Sequence, residues 1–294
     1  MGHGERERAR WCAMPTRRLP APGWRESIDR WIDSLKVGSY TEATLATRRS
    51  QISALSRALG DTPQDVDADD LLDWFAAHDW KPETRKGARN ACVSFFRWLK
   101  LTGRSDTDPS MALPHVKRPQ AHPHPCPDAV ILRALARAGT RADRLMIRLG
   151  AECGLRRFEI AKVGADDLMR DLTGWSLIVV GKGDRQRIVP IGDDLAREIR
   201  AEASGHDGGY VFEGRWGGHV EASYVGKHLS GLLGGGWTAH SLRHRYATAT
   251  YAATHDLLLV SKLLGHASVE TTQRYVAMSD DRLRAGMRAV MLAV

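Results

Sequence analysis

Half of the twelve prolines in this chain of 294 residues fall between Pro109 and Pro127. Proline has no backbone N–H and fixes φ, so neither a helix nor a central strand runs through such a stretch. Lys117 and Arg118 add charge to it. Residues 105–127 therefore read as a semi-rigid, extended linker. Any hydrophobic core must then be built twice, once on each side, and the length suits about two domains.

Residues 1–22 read as a basic tail, because Arg6, Arg8, Arg10, Arg17 and Arg18 outnumber Glu5 and Glu7 and three prolines discourage regular structure. Residues 23–104 read as a helical bundle. Trp24, Ile28, Trp31, Ile32 and Leu35 recur at helical spacing. A second helix begins near Thr41 and carries Leu45, Ile52 and Leu55 towards Gly60. Asp67 is placed to cap a third, and Pro82 fits the first turn of a fourth that runs past Phe95, Phe96 and Leu99 to Gly103. That fourth helix presents Lys81, Arg85, Lys86 and Arg89, a basic face suited to DNA phosphates; the plainer alternative is an ordinary solvated face.

The net charge of +8 favours an anionic partner, of which nucleic acid is the commonest. No run of about 18 apolar residues occurs, so a membrane span is not expected. The four cysteines form no CxxC pair, which suits a reduced cytosolic setting. His122, His124 and Cys126 alternate with prolines, but three ligand types on one extended strip without a fourth do not make a metal site. No metal or other cofactor is expected.

Beyond Asp128 the pattern is helical, then changes. Trp175–Val180 and Arg187–Ile191 are short β-like runs around GKGDRQ, whose glycines permit a tight turn. Helices resume near Asp193, Val220, Ser241, Asp256, Val269 and Asp280. The chain is thus expected to be mainly α with a small β-hairpin or sheet, residues 128–294 forming a mixed α/β second domain.

Five phrases in this second half carry chemistry: GLRRFEI, GKGDRQR, HSLRHRY, LLGHAS and TTQRYV. Arg156 opens a helix, where positive charge is unfavourable unless an anion sits there. Glu159 lies one turn on. His240 and Arg243, three apart, share a helix face and can converge on one phosphate. Lys182, at a hairpin tip beside Arg185 and Arg187, can enter a groove; GKG lacks the spacing of a nucleotide-binding loop. Tyr275, nine residues after His266, is a poor nucleophile unless assisted. Each of these residues taken singly is as well explained by packing or solvation.

Taken in order, the phrases resemble the tyrosine recombinase, or phage integrase, family, which includes lambda-type and Xer-like enzymes. LLGHASVETTQRY is close to that family's C-terminal signature, and HSLRHRYAT, GLRRFEI and GKGDRQRIVP resemble its other boxes. The resemblance covers residues 128–280 and extends more loosely over 24–103, which looks like the family's helical core-binding, SAM-like domain. It implies that Arg156 and Arg243 clamp the scissile phosphate, Lys182 is the general acid for the 5′ oxygen, His240 assists proton transfer, His266 hydrogen-bonds the phosphate, and Tyr275 forms a 3′-phosphotyrosyl link. Glu159 matches a supporting position.

By this resemblance the expected function is site-specific recombination without metal or ATP, by a homotetramer on double-stranded DNA at core-type sites in the bacterial cytosol. A phage or mobile-element integrase is the leading reading, with an accessory directionality factor as a further partner. The alternatives are an Xer-like chromosome or plasmid resolvase, a type IB topoisomerase, and a catalytically silent DNA-binding regulator. The short stretch before residue 23 suggests no separate arm-binding domain, and the apolar Leu283–Val294 suggests a helix docking on a neighbouring subunit.

Overall fold

The computed structural model describes residues 19–117, 123–181 and 184–265. The chain divides into two compact units, residues 1–120 and 121–294.

The first unit is helical. A 3-10 turn, Pro22–Trp24, leads into α1 (Arg25–Val37), followed by α2 (Glu42–Ser56), α3 (Ala68–Ala76) and α4 (Pro82–Leu101). The spacing of Ile28, Trp31, Ile32 and Leu35 turns one face of α1 inward, where all four are buried. Ala88, Cys92, Phe95, Phe96 and Leu99 do the same for α4. The two faces meet in an aromatic cluster: Trp24 stacks on Phe95 at 5.8 Å between ring centres, and Trp31 meets Phe95 edge-on at 5.3 Å. Such pairs add to the area they bury. Asp67 caps α3 by accepting the Asp70 N–H, while the Asp70 carboxylate accepts the Asp67 N–H. Pro82 starts α4 where a missing N–H costs nothing.

Two expectations change at the edges of this unit. Residues 19–22 are not tail: the Ala21 N–H donates to Ser56 Oγ and Arg57 to the Leu19 carbonyl, each at 3.0 Å. Residues 1–18 lie outside the described residues. The first part of the proline-rich stretch is likewise packed rather than free. Pro109–Ala112 forms a 3-10 turn, Pro109, Ser110 and Leu113 are buried, and the Leu113 carbonyl takes two hydrogen bonds from Arg89.

The second unit mixes helices with one sheet. Its elements are α5 (Asp128–Arg137), α6 (Arg141–Glu152), α7 (Arg157–Lys162), β1 (Leu168–Asp171), β2 (Gly174–Val180), β3 (Gln186–Ile191), α8 (Asp193–Ala203), α9 (Ala222–Leu233), α10 (Ala239–Thr254) and α11 (Leu257–Leu264). The sheet is antiparallel in the order β1-β2-β3, with Leu177 opposite Val189 in its buried layer. The β2–β3 hairpin matches the period-2 runs; β1 was not foreseen. Leu145, Ile147, Leu149, Leu155, Ile160 and Val225 lie in the core. Cys126 is also buried there, so this end of the proline-rich stretch is anchored too: its N–H donates to the Ser241 carbonyl at 3.0 Å. His124 meets Trp237 edge-on at 4.4 Å. No helix among the described residues is long and apolar enough to cross a membrane.

Truncating Trp31 to Ala is expected to cost about 3–5 kcal/mol, and Asp67→Ala about 1 kcal/mol, in denaturant unfolding of the first unit.

Candidate active site

The site grows from one turn. After α6 the chain reverses at Gly154, whose φ of +61° places it in the left-handed region. A Cβ here would lie 2.5 Å from the Tyr246 ring, so both backbone and space call for glycine. The reversal sets Arg156 at the N-cap of α7 and Glu159 at its third position. The Glu159 carboxylate reaches back to accept the Arg156 N–H at 2.7 Å and Arg156 Nη1 at 2.9 Å. A carboxylate in a helix's first turn also suits the dipole.

Two further arginines close on the same carboxylate. Arg187, on β3, donates from Nη1 to one Glu159 oxygen and from Nη2 to the other, each at 2.8 Å. Its Nε donates to the Leu263 carbonyl at 2.9 Å, at the end of α11. Arg243, on α10, is 1% exposed; it donates to the carbonyls of Gly154 and Leu264, both at 2.6 Å, and lies 3.9 Å from Glu159. Burial alone would push the Glu159 carboxyl up. The Arg187 fork outweighs that, helped by Arg156 and Arg243, and holds Glu159 below the usual carboxylate range.

Three arginines around one carboxylate leave two positive charges uncompensated. Arg156 and Arg243 line an open groove of about 820 Å³, with His240 from α10 and Ser223, Lys227 and Ser230 from α9. Such a groove suits an anion, and fixed guanidinium forks suit a phosphate. Partial burial, with Arg243 and Arg156 adding repulsion, pushes the His240 imidazole below its ordinary value, so it is neutral at neutral pH and able to accept a proton.

The structure thus brings together Arg156, Glu159, His240 and Arg243 from the sequence-derived set. Lys182, His266 and Tyr275 lie outside the described residues. The described residues next to Lys182 and His266 approach the same place. A Cβ on Gly181 would lie 3.6 Å from Glu159, and one on Gly265 would lie 2.9 Å from Arg187.

Three of the side chains expected at DNA have partners inside the protein. The Arg187 side chain is 7% exposed and bound to Glu159. Arg85 donates to the carbonyls of Phe75 and His78, closing the end of α3, and Arg89 is taken by Leu113. Both are held by backbone acceptors on their own unit. Lys81 and Arg185 are exposed, and Lys86 is half-buried. Sequence reasoning missed the α9 contribution. Its signal was present: Ser223, Gly226, Lys227 and Ser230 fall on one helical face.

The family described as the phage integrase family matches residues 129–282. The tyrosine recombinase XerC of Chromobacterium violaceum is 30% identical over 88% of this chain and 92% of its own length. A lambda integrase fragment, residues 75–356, solved as a dimer bound to a COC′ core site, shares the fold with a TM-score of 0.71 at 19% identity, over 86% of this chain and 94% of that one. Lambda integrase solved as a tetramer bound to a Holliday junction gives 0.70 at 18% identity, over 86% and 76%.

The His240 imidazole is expected to titrate, by NMR, below the ordinary histidine range in the free protein. Arg156→Gln removes one of the two repelling cations and moves that midpoint upward.

Proposed function

The chain belongs to the phage integrase family of tyrosine recombinases, enzymes that cut and rejoin DNA at specific sites, and we propose that it serves as the integrase of a phage or mobile element. The observation that carries the assignment of its site is the Arg156–Arg243 pair, fixed on buried Glu159 and lining a groove beside His240.

In the proposed reaction Arg156 and Arg243 hold the non-bridging oxygens of the scissile phosphate. The Tyr275 hydroxyl attacks phosphorus, giving up its proton with help from His240. The bond to the 5′ oxygen breaks as Lys182 donates a proton to it. His266 hydrogen-bonds the phosphate. The products are a 3′-phosphotyrosyl ester and a free 5′ hydroxyl. A 5′ hydroxyl from another strand then attacks the ester, releases Tyr275 and returns the proton. The fixed cations act where charge develops in the transition state.

In this reading residues 23–104 bind core-type DNA, residues 128–294 carry catalysis, and the enzyme acts as a tetramer on DNA in the bacterial cytosol, with a directionality factor setting integration against excision. Lys81, Lys86 and Arg185 remain as proposed phosphate contacts. Residues 283–294, outside the described residues, are proposed to dock on the neighbouring subunit. An integrase joins two unlike sites, whereas a resolvase pairs two copies of one site. Recombination assays on both arrangements separate these programmes.

On a nicked suicide duplex, the wild-type chain is expected to form a covalent adduct that Tyr275→Phe abolishes while binding survives. An adduct formed by the Phe variant sinks the assignment. Arg156→Ala should slow adduct formation by about 10²–10³-fold. Replacing Lys81 with Ala should lower the slope of log affinity against log salt by about 0.9 without changing sequence preference.

A further inference from the structure

Arg187 is spent entirely inside the protein, and its bonds have a pattern. It meets both oxygens of Glu159 with a two-pronged fork, which fixes the plane of the carboxylate as a single hydrogen bond does not. Arg156 then takes its own place from that carboxylate, through one backbone and one side-chain bond. Arg187 is itself held from a third direction by the Leu263 carbonyl, and it packs so close to Gly265 that a Cβ there would lie 2.9 Å from its Cδ. One residue on β3 therefore ties α7 to the end of α11.

We propose that Arg187 is a positioning residue for DNA cleavage, holding Glu159 so that the Arg156 guanidinium is fixed towards the groove. The inference rests on the recombinase reading above and adds to it a residue that touches neither DNA nor the reacting atoms. Misplacing a phosphate-holding group by about 1 Å costs on the order of 100-fold in rate.

The electrostatics give the role a signature. Among the described residues, the charged groups facing Glu159 are Arg156 on its own element, Arg187 from β3 and Arg243 from α10, and Lys162, Asp166 and Asp167 line the cavity that Glu159 borders. Among the described residues, the end of α11 faces these arginines with the carbonyls of Leu263 and Leu264. The Tyr246 phenol and the Cys153 thiol, both within the field of Arg187, are pushed up to about 12 by burial and stay neutral. Arg187 is the largest influence opposing the burial penalty on Glu159. Without it the Glu159 carboxyl rises, takes up a proton as pH falls and releases its grip on Arg156. Raising the pH ionises it again.

The test compares wild type, Arg187→Met, Arg187→Lys and the double variant Arg187→Met with Glu159→Gln. Single-turnover adduct formation on the suicide duplex is measured across pH, alongside duplex affinity and thermal unfolding. Arg187→Met is expected to bind DNA normally but form adduct about 100-fold more slowly at neutral pH. Its rate should recover partly with rising pH, a limb absent from wild type and from the double variant. Arg187→Lys, which keeps the charge but loses the fork, should fall between. An Arg187→Met protein as fast as wild type overturns the proposal. So does a loss that merely follows folded fraction or affinity, with the wild-type pH profile. Should the Met variant not fold, Arg187→Lys carries the test, and wild-type rates there overturn the proposal equally. A wild-type chain that forms no adduct overturns the recombinase reading itself, and is told apart by that control.

Discussion

The second unit depends on a carboxylate that water does not reach. Glu159 has no exposed side-chain surface, and three guanidinium groups surround it. Neither side of this arrangement stands alone. Burying the carboxylate unpaired would cost several kcal/mol, and three arginines crowded without it would repel one another. Together they lock α7, β3 and α10 at one point, and the excess positive charge has only the groove to face. Ion pairs of this kind are weak evidence for stability. Their value here lies in geometry.

Much of the fold was legible because its signals are local. The Trp24–Leu35 rhythm, the Asp67 cap and Pro82 each act within a turn or two of helix, and the bundle follows. The order of the five phrases pointed to a set of which the structure brings Arg156, Glu159, His240 and Arg243 together, since order reports an arrangement that no single residue does. The charged side chains were read less well. GKGDRQR looks like a solvated basic loop, yet strand alternation places Arg187 on the inward side with Val189 and Ile191, opposite exposed Gln186, Ile188 and Pro190. The clue was period 2, hidden by the expectation that charge points outward. Arg85 and Arg89 have partners that were not foreseen for a different reason. Their partners are backbone carbonyls, which carry no sequence signal. β1 was missed because Leu168–Asp171 is short and only half-buried.

The proline-rich stretch teaches a related lesson. Proline excludes α-helix and strand interior, and neither occurs among the described residues of the stretch. It does not exclude packing. Leu113 on one side and Cys126 on the other are each buried in a core, so the same residues that break regular structure also hold ends in place.

If Arg156 and Arg243 form the proposed phosphate clamp, its assembly before the ligand arrives has a further consequence. Arg243 is locked by two carbonyls, and Arg156 by a carboxylate that is itself locked. Little side-chain freedom remains to be lost on binding, so every phosphate that fits the groove is met by the same ready cations. The DNA backbone repeats that phosphate at each nucleotide and carries no sequence information in it. Fidelity therefore cannot reside in the clamp. It must come from surfaces that read bases or from control over when the nucleophile is delivered, and a variant that loosened either would become a nuclease or ligase of broad taste with its chemistry unimpaired.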